Sequence, residues 1–419
     1  MKPGIIAAII LSLVCSGSQA QLSGLLKKVK GKVNQRVDNK VDNAIDKTLD
    51  AIENGANSKK EVSAGGGDST VAAESYAKYD FVAGEQVIYA NEFEHQNQGE
   101  LPAGWNSSGN AVVVTLNTQK GNWLQVHQNT VALTDNDSTF TDNCSVEFDF
   151  IFHQAFNGYI LPQFSFGLIS SGELSSTDNS LLQNFEQGYA AEIKIQPGTQ
   201  NDTHLHLQTY ATNSLYLNTD IKNYKLQSLY DKPVHVAIQV QKERLRLWFN
   251  AEKMYDLPKA IPPGTILNQL YFSLKSSAYS DVQNGYYISN IKVAKGLPDT
   301  RHRLMDEGKF TTTGILFDIN TAAIKPESNG ILAEIAGVLQ QYPGVNILIT
   351  GHTDSDGDAK DNLELSRKRA EAVKDALVKN FGITASRLQT DGKGEDAPVA
   401  DNNTRDGKAQ NRRVEFSKL

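Results

Sequence analysis

A long succession of β-type segments dominates the chain between about residues 80 and 297. Short runs rich in β-branched and aromatic residues alternate with turn-like clusters; among them are AVVVTL, SVEFDFIF, HLHLQTY, VHVAIQV and LYFSL. No helical period separates these runs. Consecutive strands without intervening helices bury their apolar faces by pairing into antiparallel sheets that stack on each other. The sequence therefore predicts an all-β antiparallel sandwich over residues 80–297.

Three runs within this region resemble the concanavalin A-like or laminin-G-like jelly rolls of exported bacterial proteins. They are NEFEHQNQGELPAGW, PVHVAIQVQKERLRLWFNAEKMYDLP and YISNIKVAKG. The resemblance rests on the strand pattern. It implies a jelly-roll fold and a glycan or a protein as the ligand of the sandwich.

One run of the predicted sandwich bears on catalysis. A hydrolase group on the jelly-roll fold carries its acids as Glu-x-Asp-x-(x)-Glu, with an acid and a nucleophile on either side of the glycosidic bond. Here Glu147 and Asp149 lack the third acid. We therefore expect no catalytic residues and no enzyme activity, with both carboxylates facing solvent from a strand whose Phe residues face the core. A glycan-acting enzyme, localised by another part of the chain, is the alternative function.

His204 and His206 share one face of a predicted strand, as metal ligands do. Structural and catalytic zinc sites need at least three protein ligands. The sequence offers no third ligand near these two imidazoles. We therefore expect no metal and no cofactor.

The N-terminus predicts export. It reads MKPGIIAAIILSLVCSGSQAQ, where a lysine precedes an apolar stretch from Ile5 to Val14 and the small residues of SQA follow. This order is typical of a secretory signal peptide, here residues 1–20, cleaved before Gln21. Cys15 leaves open a lipid-modified lipoprotein, although the residues before it do not resemble the usual lipobox. Cleavage would leave Cys144 alone, so the mature chain could form no internal disulfide.

Residues 21–54 differ from everything that follows. Apolar residues recur every three or four positions from Leu22 to Ile52, which predicts one long amphipathic helix. Such a helix must bury its apolar stripe against a copy of itself, a neighbouring domain or a membrane surface, and its basic first half suits an anionic lipid face. Residues 55–79 then turn to Gly, Ser, Ala and Lys, which predicts a flexible linker. The formal net charge of -7 gives no reason to expect a nucleic-acid partner.

The pattern changes from about Lys309 to strand, helix, strand, helix, strand. GILFDI precedes a helical stretch from Pro326 to Gln341, VNILITG precedes a second helix from about Asn362 to Asn380, and RLQTDGKG and RRVEFSKL complete the order. Gly382 fits the left-handed C-cap of the second helix. This order predicts an α/β sandwich over residues 298–419.

The segment GHTDSDGD carries alternating acids, Asp354, Asp356 and Asp358, as a calcium loop does. An EF-hand loop needs Gly at its sixth position and a bidentate Glu at its twelfth. Those positions are Ala359 and Leu365. The spacing therefore argues against a calcium site.

Several segments of residues 309–419 resemble, in the same order, the OmpA-like C-terminal domain that anchors Gram-negative outer-membrane proteins to peptidoglycan. They are ILFDINTAAIKPES, GHTDSDGD, NLELSRKRAEAVKDAL, FGITASRLQTDGKGEDAPVADNNT and GKAQNRRVEF. The resemblance implies a non-enzymatic protein of the periplasm, associated with the outer membrane and the wall. The implied ligand is diaminopimelate of the peptidoglycan stem peptide.

Asp354 and Arg369 are the pair that the resemblance assigns to this ligand. Asp354 follows the apolar strand NILIT, and Arg369 faces partly inward, which is costly for a guanidinium without a carboxylate partner. The free centre of diaminopimelate carries an ammonium and a carboxylate. An acid and a fork-shaped base a few ångströms apart would hold both. The alternative is an internal Asp354–Arg369 salt bridge that serves only the fold.

The resemblance also implies further residues near the ligand cleft: Thr353, Asn362, Leu365 and Arg413. Asn362 also fits the N-cap of the second helix, and Leu365 a core position. The predicted function is therefore a wall-binding protein that tethers the sandwich to peptidoglycan. A platform for assembling envelope proteins is a further alternative.

Overall fold

The computed structural model describes residues 79–154, 160–183, 188–198, 202–297 and 299–419. The predicted signal peptide, the predicted amphipathic helix and residues 55–78 of the predicted linker lie outside these residues. Within the described ranges, none of the helices combines the length and the apolar character needed to cross a membrane.

The N-terminal region of the described chain is built from β-strands. They are β1 (Gln86–Asn91), β2 (Asn106–Ser107), β3 (Ala111–Thr115), β4 (Asn122–Val126), β5 (Thr130–Leu133), β6 (Asn143–Gln154), β7 (Phe164–Ile169), β8 (Ala190–Gln196), β9 (Thr203–Ala211), β10 (Ser214–Tyr224), β11 (Val234–Gln241), β12 (Arg244–Phe249), β13 (Glu252–Leu257), β14 (Gln269–Leu274) and β15 (Asn284–Lys295). Short 3-10 turns lie at Asn179–Leu182 and Leu226–Leu229.

These strands form two antiparallel sheets. The first has the order β13-β12-β11-β6-β15-β4-β3, with β1 also paired to β15, and the second has the order β10-β9-β8-β7-β14-β5-β2. The predicted antiparallel architecture is confirmed. The jelly-roll class stays a prediction.

Aromatic side chains fill the space between the two sheets. The ring of Phe148 on β6 lies 4.9 Å from that of Phe166 and 5.1 Å from that of Phe272, both on the second sheet. Such edge-to-face contacts add to the free energy gained by burying the rings. Cys144 is fully buried in the same core, and burial raises the pKa of its thiol to about 12. The thiol is therefore inert to ordinary thiolate chemistry.

The opposite face of β6 is covered, contrary to the sequence prediction. Glu147 is 2% exposed and Asp149 is 4% exposed. The two carboxylates alternate with the core-facing Phe residues as predicted, but the rest of the chain packs over their side of the sheet. Lys292 donates a hydrogen bond to the carbonyl of Thr313 at 3.3 Å, and the Nζ of Lys325 lies 3.9 Å from Asp149. The expectation that Glu147 and Asp149 face solvent was wrong because the C-terminal domain packs over this face of the sheet.

The C-terminal domain combines a four-stranded sheet with helices. Its elements are α1 (Thr300–Met305), β16 (Lys309–Thr312), α2 (Asn329–Gln341), β17 (Ile347–His352), α3 (Ala359–Phe381), β18 (Leu388–Gly394), α4 (Arg405–Asn411) and β19 (Val414–Lys418), with 3-10 turns at Pro326–Ser328 and Ala385–Arg387. The strand order is β16-β19-β17-β18, and β17 and β18 run parallel. Apolar residues of α2 and α3 pack on the sheet, so the predicted α/β arrangement is confirmed.

Three local predictions for this domain have different outcomes. Gly382 ends α3 with φ of 69°, as predicted for a left-handed C-cap. Asn362 is not the N-cap, because α3 begins at Ala359 and Asp358 accepts the first backbone N–H groups. GILFDI was predicted as a strand, but it forms only an isolated bridge between Phe317 and Ile324.

Helix α4 docks on β1 of the sandwich. The side chain of Gln410 accepts the backbone N–H of Val87 at 2.7 Å, and Asp406 accepts that of Ala90 at 2.5 Å. Arg405 forms an ion pair with Asp135 at 2.7 Å. Residues 79–83 also reach the C-terminal domain, since Gly330 of α2 packs directly against the backbone of Phe81.

This close approach predicts that Gly330→Ala destabilises the protein. A Cβ at Gly330 would lie 2.1 Å from the carbonyl oxygen of Phe81, so the backbone must move. We expect a loss of about 1–3 kcal/mol in the free energy of unfolding, measured by urea denaturation. Gly337 lies on the same helix with open space around it and is the matched control. Gly337→Ala should instead stabilise the protein by up to about 1 kcal/mol, and equal effects of the two changes would contradict the packing argument.

Candidate ligand-binding site

A cavity of about 300 Å³ lies where the C-terminal domain meets the first sheet of the sandwich. Its lining includes every residue that the sequence analysis assigned to a ligand: Thr353, Asp354, Asn362, Leu365, Arg369 and Arg413. The sandwich supplies further lining residues that the sequence analysis did not assign, among them Glu92, Glu94, Glu147, Asp149 and Lys292. The cavity is therefore lined by both the sandwich and the C-terminal domain.

Asp354 is fixed in the loop that follows β17. Its side chain is buried, with 7% of the residue exposed. One carboxylate oxygen accepts the backbone N–H of Asp356 at 3.2 Å, and the other accepts Nη1 of Arg412 at 2.6 Å. Asn362 holds the same loop, because its Nδ2 donates to the carbonyl of Asp356 at 3.0 Å and to Glu395 at 2.7 Å.

Arg369 is half-buried and has different partners from those expected of an internal bridge. Its Nε donates to the carbonyl of Thr321 at 3.0 Å, and its guanidinium carbon lies 4.9 Å from the centre of the Phe317 ring. Burial and the nearby charge of Arg412 lower its pKa, while Asp354 acts in the opposite direction. Asp354 is ion-paired to Arg412 rather than to Arg369. The alternative of a purely internal Asp354–Arg369 bridge was therefore wrong.

Arg412 is the residue at this site that sequence reasoning missed. It forms ion pairs with both Asp354 and Glu92, the residue directly after β1. Burial opposes its charge, but these two carboxylates raise its pKa. The signal was present in the run NRRVEF, where Arg412 directly precedes Arg413 and both line the cavity. Only the second of them, Arg413, was assigned.

Arg413 and its neighbours form a buried part of the cavity wall. Arg413 donates to the carbonyl of Ala397 at 2.9 Å, and burial lowers its pKa. Burial and the charge of Arg413 lower the pKa of His352 to about 4, so its imidazole is neutral at physiological pH. Both ring nitrogens of His352 and the hydroxyl of Thr353 lack hydrogen-bond partners among the described residues. Buried polar atoms of this kind are normally satisfied by a ligand or by water.

The sandwich side of the cavity carries a cluster of buried charges around His235. The imidazole lies between two carboxylates, with Nδ1 2.7 Å from Asp149 and Nε2 3.5 Å from Glu147. Lys292 lies 2.9 Å from Glu147, and Asn290 donates to Asp149 at 2.6 Å. Burial disfavours the imidazolium, but the two carboxylates raise the pKa of His235 to about 9.

This cluster bears on the alternative of a glycosidase. Against the effect of burial, Lys292 and His235 hold the pKa of Glu147 below its ordinary value, and His235 does the same for Asp149. A glycosidase needs one carboxyl whose pKa is raised so that it stays protonated and acts as the general acid. Both acids here favour the ionised form, which makes them poor candidates for that role.

The acids of the rejected calcium loop have separate partners. Asp354 pairs with Arg412, Asp356 pairs with Lys408 at 2.7 Å, and Asp358 caps α3.

The expectation that His204 and His206 have no third metal ligand near them was wrong. The two histidines of β9, His204 and His206, do have a third potential ligand nearby. Asp220 on β10 lies opposite His206, and the three side chains offer atoms within 4.8 Å of one another.

The C-terminal domain is similar to proteins of a known family. The model of the OmpA family matches residues 316–412. The outer-membrane lipoprotein YfiB of Pseudomonas aeruginosa is 34% identical over 164 residues, which are 38% of this chain and 95% of that protein. The chain belongs to the OmpA family. The family match contains each assigned site residue except Arg413, which directly follows it.

Two further proteins match a smaller share of this OmpA-family chain. Outer membrane porin F of Pseudomonas fluorescens is 46% identical over 103 residues, which are 25% of this chain and 31% of that porin. The chain thus spans about a third of the length of that relative. A crystal structure of the peptidoglycan-associated lipoprotein from Burkholderia pseudomallei is 31% identical, with 25% of this chain and 88% of that chain covered and a TM-score of 0.24.

Proposed function

We propose that this OmpA-family protein is a non-enzymatic cell-envelope protein that binds peptidoglycan without a covalent bond, through diaminopimelate of the stem peptide. The observation that carries the proposal is the shared cavity. Asp354 and Arg369 both line it, together with the four residues that the resemblance added. An acid and a guanidinium on one cavity wall suit a ligand that carries both an ammonium and a carboxylate.

Asp354 has the capacity to accept the ligand's ammonium. Each of its oxygens accepts one hydrogen bond, from Asp356 and from Arg412. An ionised carboxylate has about four acceptor positions, so about two are left for a ligand. Glu92 and Glu94 of the sandwich add negative charge to the same cavity. Burial and the charge of Glu92 raise the pKa of Glu94, which means that a cation nearby would stabilise its ionised form.

Arg369 is oriented to bind the ligand's carboxylate. The bond from its Nε to Thr321 and the face of Phe317 fix the plane of the guanidinium. A planar guanidinium binds a carboxylate through two parallel hydrogen bonds, which a point charge cannot reproduce. The unsatisfied hydroxyl of Thr353 is a further donor for the same ligand.

The proposal extends to the place of the protein in the cell. The named relatives include an outer membrane porin and an outer-membrane lipoprotein, which supports a location in the Gram-negative envelope. The predicted signal peptide supports export to the periplasm. The sandwich, with its strand pattern like that of concanavalin A-like jelly rolls, is then the module tethered to the wall, and its ligand is a glycan or a protein. The predicted amphipathic helix over residues 21–54, with its basic first half, would add outer-membrane association.

Co-sedimentation with purified sacculi tests the proposal. We expect the full chain to pellet with sacculi whose stem peptides contain diaminopimelate and to be displaced by a free stem peptide that ends in diaminopimelate. Sacculi with lysine at the same position are the matched control, because lysine has the ammonium but lacks the second carboxylate. Equal pelleting with both walls would contradict recognition of diaminopimelate, and no pelleting with either would contradict wall binding itself.

A further inference from the structure

The edge of the second sheet carries a group of side chains unconnected with the wall-binding cavity. His204 and His206 lie two residues apart on β9 and share its outward face. Asp220 of the edge strand β10 lies directly opposite His206. All three side chains are only partly exposed, with side-chain exposures of 38%, 33% and 19%, respectively. The protein thus presents two imidazoles and one carboxylate on one surface.

A β-bulge brings Asp220 to this face. The hairpin between β9 and β10 turns at Thr212 and Asn213, both with positive φ, and pairs Leu215 with Tyr210. The pairing then shifts by one residue at Tyr216. Without the shift, Thr219 would lie opposite His206, and Asp220 would point to the other face of the sheet.

The distances suit coordination of one ion. Nδ1 of His204 lies 3.0 Å from one oxygen of Asp220, and Nδ1 of His206 lies 3.6 Å from the other. Ligand atoms of a tetrahedral zinc ion with bonds of about 2.0–2.1 Å are about 3.3 Å apart, and the two separations, each to a different oxygen of Asp220, lie on either side of that value. The imidazole rings are stacked, with centres 5.6 Å apart and planes inclined by 19°. Each ring lies with its Nδ1 towards Asp220.

The polar surroundings also fit a cation. The oxygen of Asp220 that faces His206 is buried and has no hydrogen-bond partner among the described residues. Lys194 lies opposite His206 on β8, but its ammonium is paired with Glu192 at 3.0 Å and donates to Gln208 at 2.8 Å. Its charge is therefore compensated.

We propose that His204, His206 and Asp220 bind a divalent transition-metal ion, and that the preferred ion is zinc. Imidazole nitrogen and carboxylate oxygen are ordinary zinc ligands, and three protein ligands leave a fourth position for water or for a group of a bound partner. The ion would also clamp the edge strand β10 to β9. The proposal is independent of peptidoglycan binding, because the three ligands lie outside the wall-binding cavity.

Zinc titration of the full chain tests the site. A chain without a polyhistidine tag is freed of metal with a chelator and titrated with Zn²⁺ by calorimetry and with Co²⁺ by absorption spectroscopy. We expect one equivalent of Zn²⁺ that Asp220→Asn and His204→Gln each weaken by roughly 100-fold or more, since each leaves fewer than three ligands. Bound Co²⁺ should give the intense visible bands of four-coordinate cobalt in the wild type but not in Asp220→Asn or His204→Gln.

A second group serves as the matched control. Glu94, His95 and Asp356 also have ligand atoms within 4.8 Å of one another, but all three are exposed. His95→Gln should leave the titration unchanged. Binding that is lost in His95→Gln and retained in Asp220→Asn would overturn the proposal, as would a wild type that binds no stoichiometric Zn²⁺. His204→Gln keeps the test valid if Asp220→Asn fails to fold.

Discussion

Replacement of either Asp354 or Arg369 with alanine should abolish binding of the full chain to sacculi. Each change leaves one charge of the diaminopimelate centre without its partner, and truncating one member of a buried charge pair typically costs 2–5 kcal/mol in binding free energy. That range corresponds to a loss of affinity of roughly 30-fold to several thousand-fold. Co-sedimentation at a fixed concentration of sacculi measures this loss directly.

The fold should survive both changes. Arg412 keeps Glu92 as an ion-pair partner when Asp354 is replaced, so no buried cation is stranded. Arg369 has no carboxylate that depends on it, because its contacts are to a backbone carbonyl and an aromatic ring. Thermal melts recorded beside the binding assay should therefore change little.

Control substitutions of exposed charged residues on α3 distinguish loss of a specific binding site from a general effect of changing the charge. Arg367 and Asp361 are exposed on α3, and alanine at either position should leave binding intact. Arg369→Lys keeps the charge but loses the two-pronged geometry, so it should still bind poorly. Wild-type binding by both Asp354→Ala and Arg369→Ala would exclude the assignment. A large drop in melting temperature together with lost binding would instead indicate a structural role.

Replacement of His235 should have the largest effect on stability. The imidazolium lies between Glu147 and Asp149 in a buried part of the first sheet. Removing one partner of a buried ion pair leaves uncompensated charge and costs about 3–5 kcal/mol. Lys292 and Asn290 still contact the two carboxylates, so we expect His235→Ala at the lower end of that range, measured by urea denaturation at pH 6.

The same cluster predicts a dependence of stability on pH. The pKa of His235 is raised from 6.5 to about 9 in the folded protein. Its contribution is fully present below about pH 6.5 and is lost as the pH rises through about 9, because the folded state must then release the proton. At 1.36 kcal/mol per pK unit, the loss is about 3 kcal/mol.

A comparison with His235→Gln isolates this contribution. The free energy of unfolding of the wild type should fall between pH 6 and pH 10 more steeply than that of the variant. Titrating groups outside the cluster, including His352, contribute equally to both proteins and cancel in the difference. His302→Gln, at an exposed position on α1, should keep the slope of the wild type. Equal slopes for wild type and His235→Gln would mean that His235 does not carry the buried charge.

The alternation of side chains made much of the fold predictable. Along β6, the Phe residues identified the core face and the acids the opposite face. What covers that opposite face depends on contacts between residues far apart in the sequence, such as Lys325 with Asp149, and no local pattern records them. The contact of Arg412 with Glu92 was missed for the same reason.

Two other failures have local causes. The run GILFDI was predicted as a strand, but the pairing of β16 ends at Thr312, whose hydroxyl accepts the N–H of Gly314 at 3.0 Å and turns the chain. The third potential metal ligand was hidden by the bulge at Tyr216, since a regular pairing would place Asp220 on the other face. The grouping of Thr353, Asp354, Asn362, Leu365 and Arg369 around one cavity was predictable because α3 directly follows the loop after β17 in the sequence.

The docking of α4 on β1 has a consequence for solubility. A strand at the border of a sheet exposes N–H and C=O groups that can recruit a strand from another molecule. Here Gln410 and Asp406 occupy the N–H groups of Val87 and Ala90, and Ala409 packs beside them. The C-terminal domain therefore covers an aggregation-prone border of the sandwich. A sandwich expressed without that domain would expose this border and self-associate, whereas α4 covers the border in the intact chain.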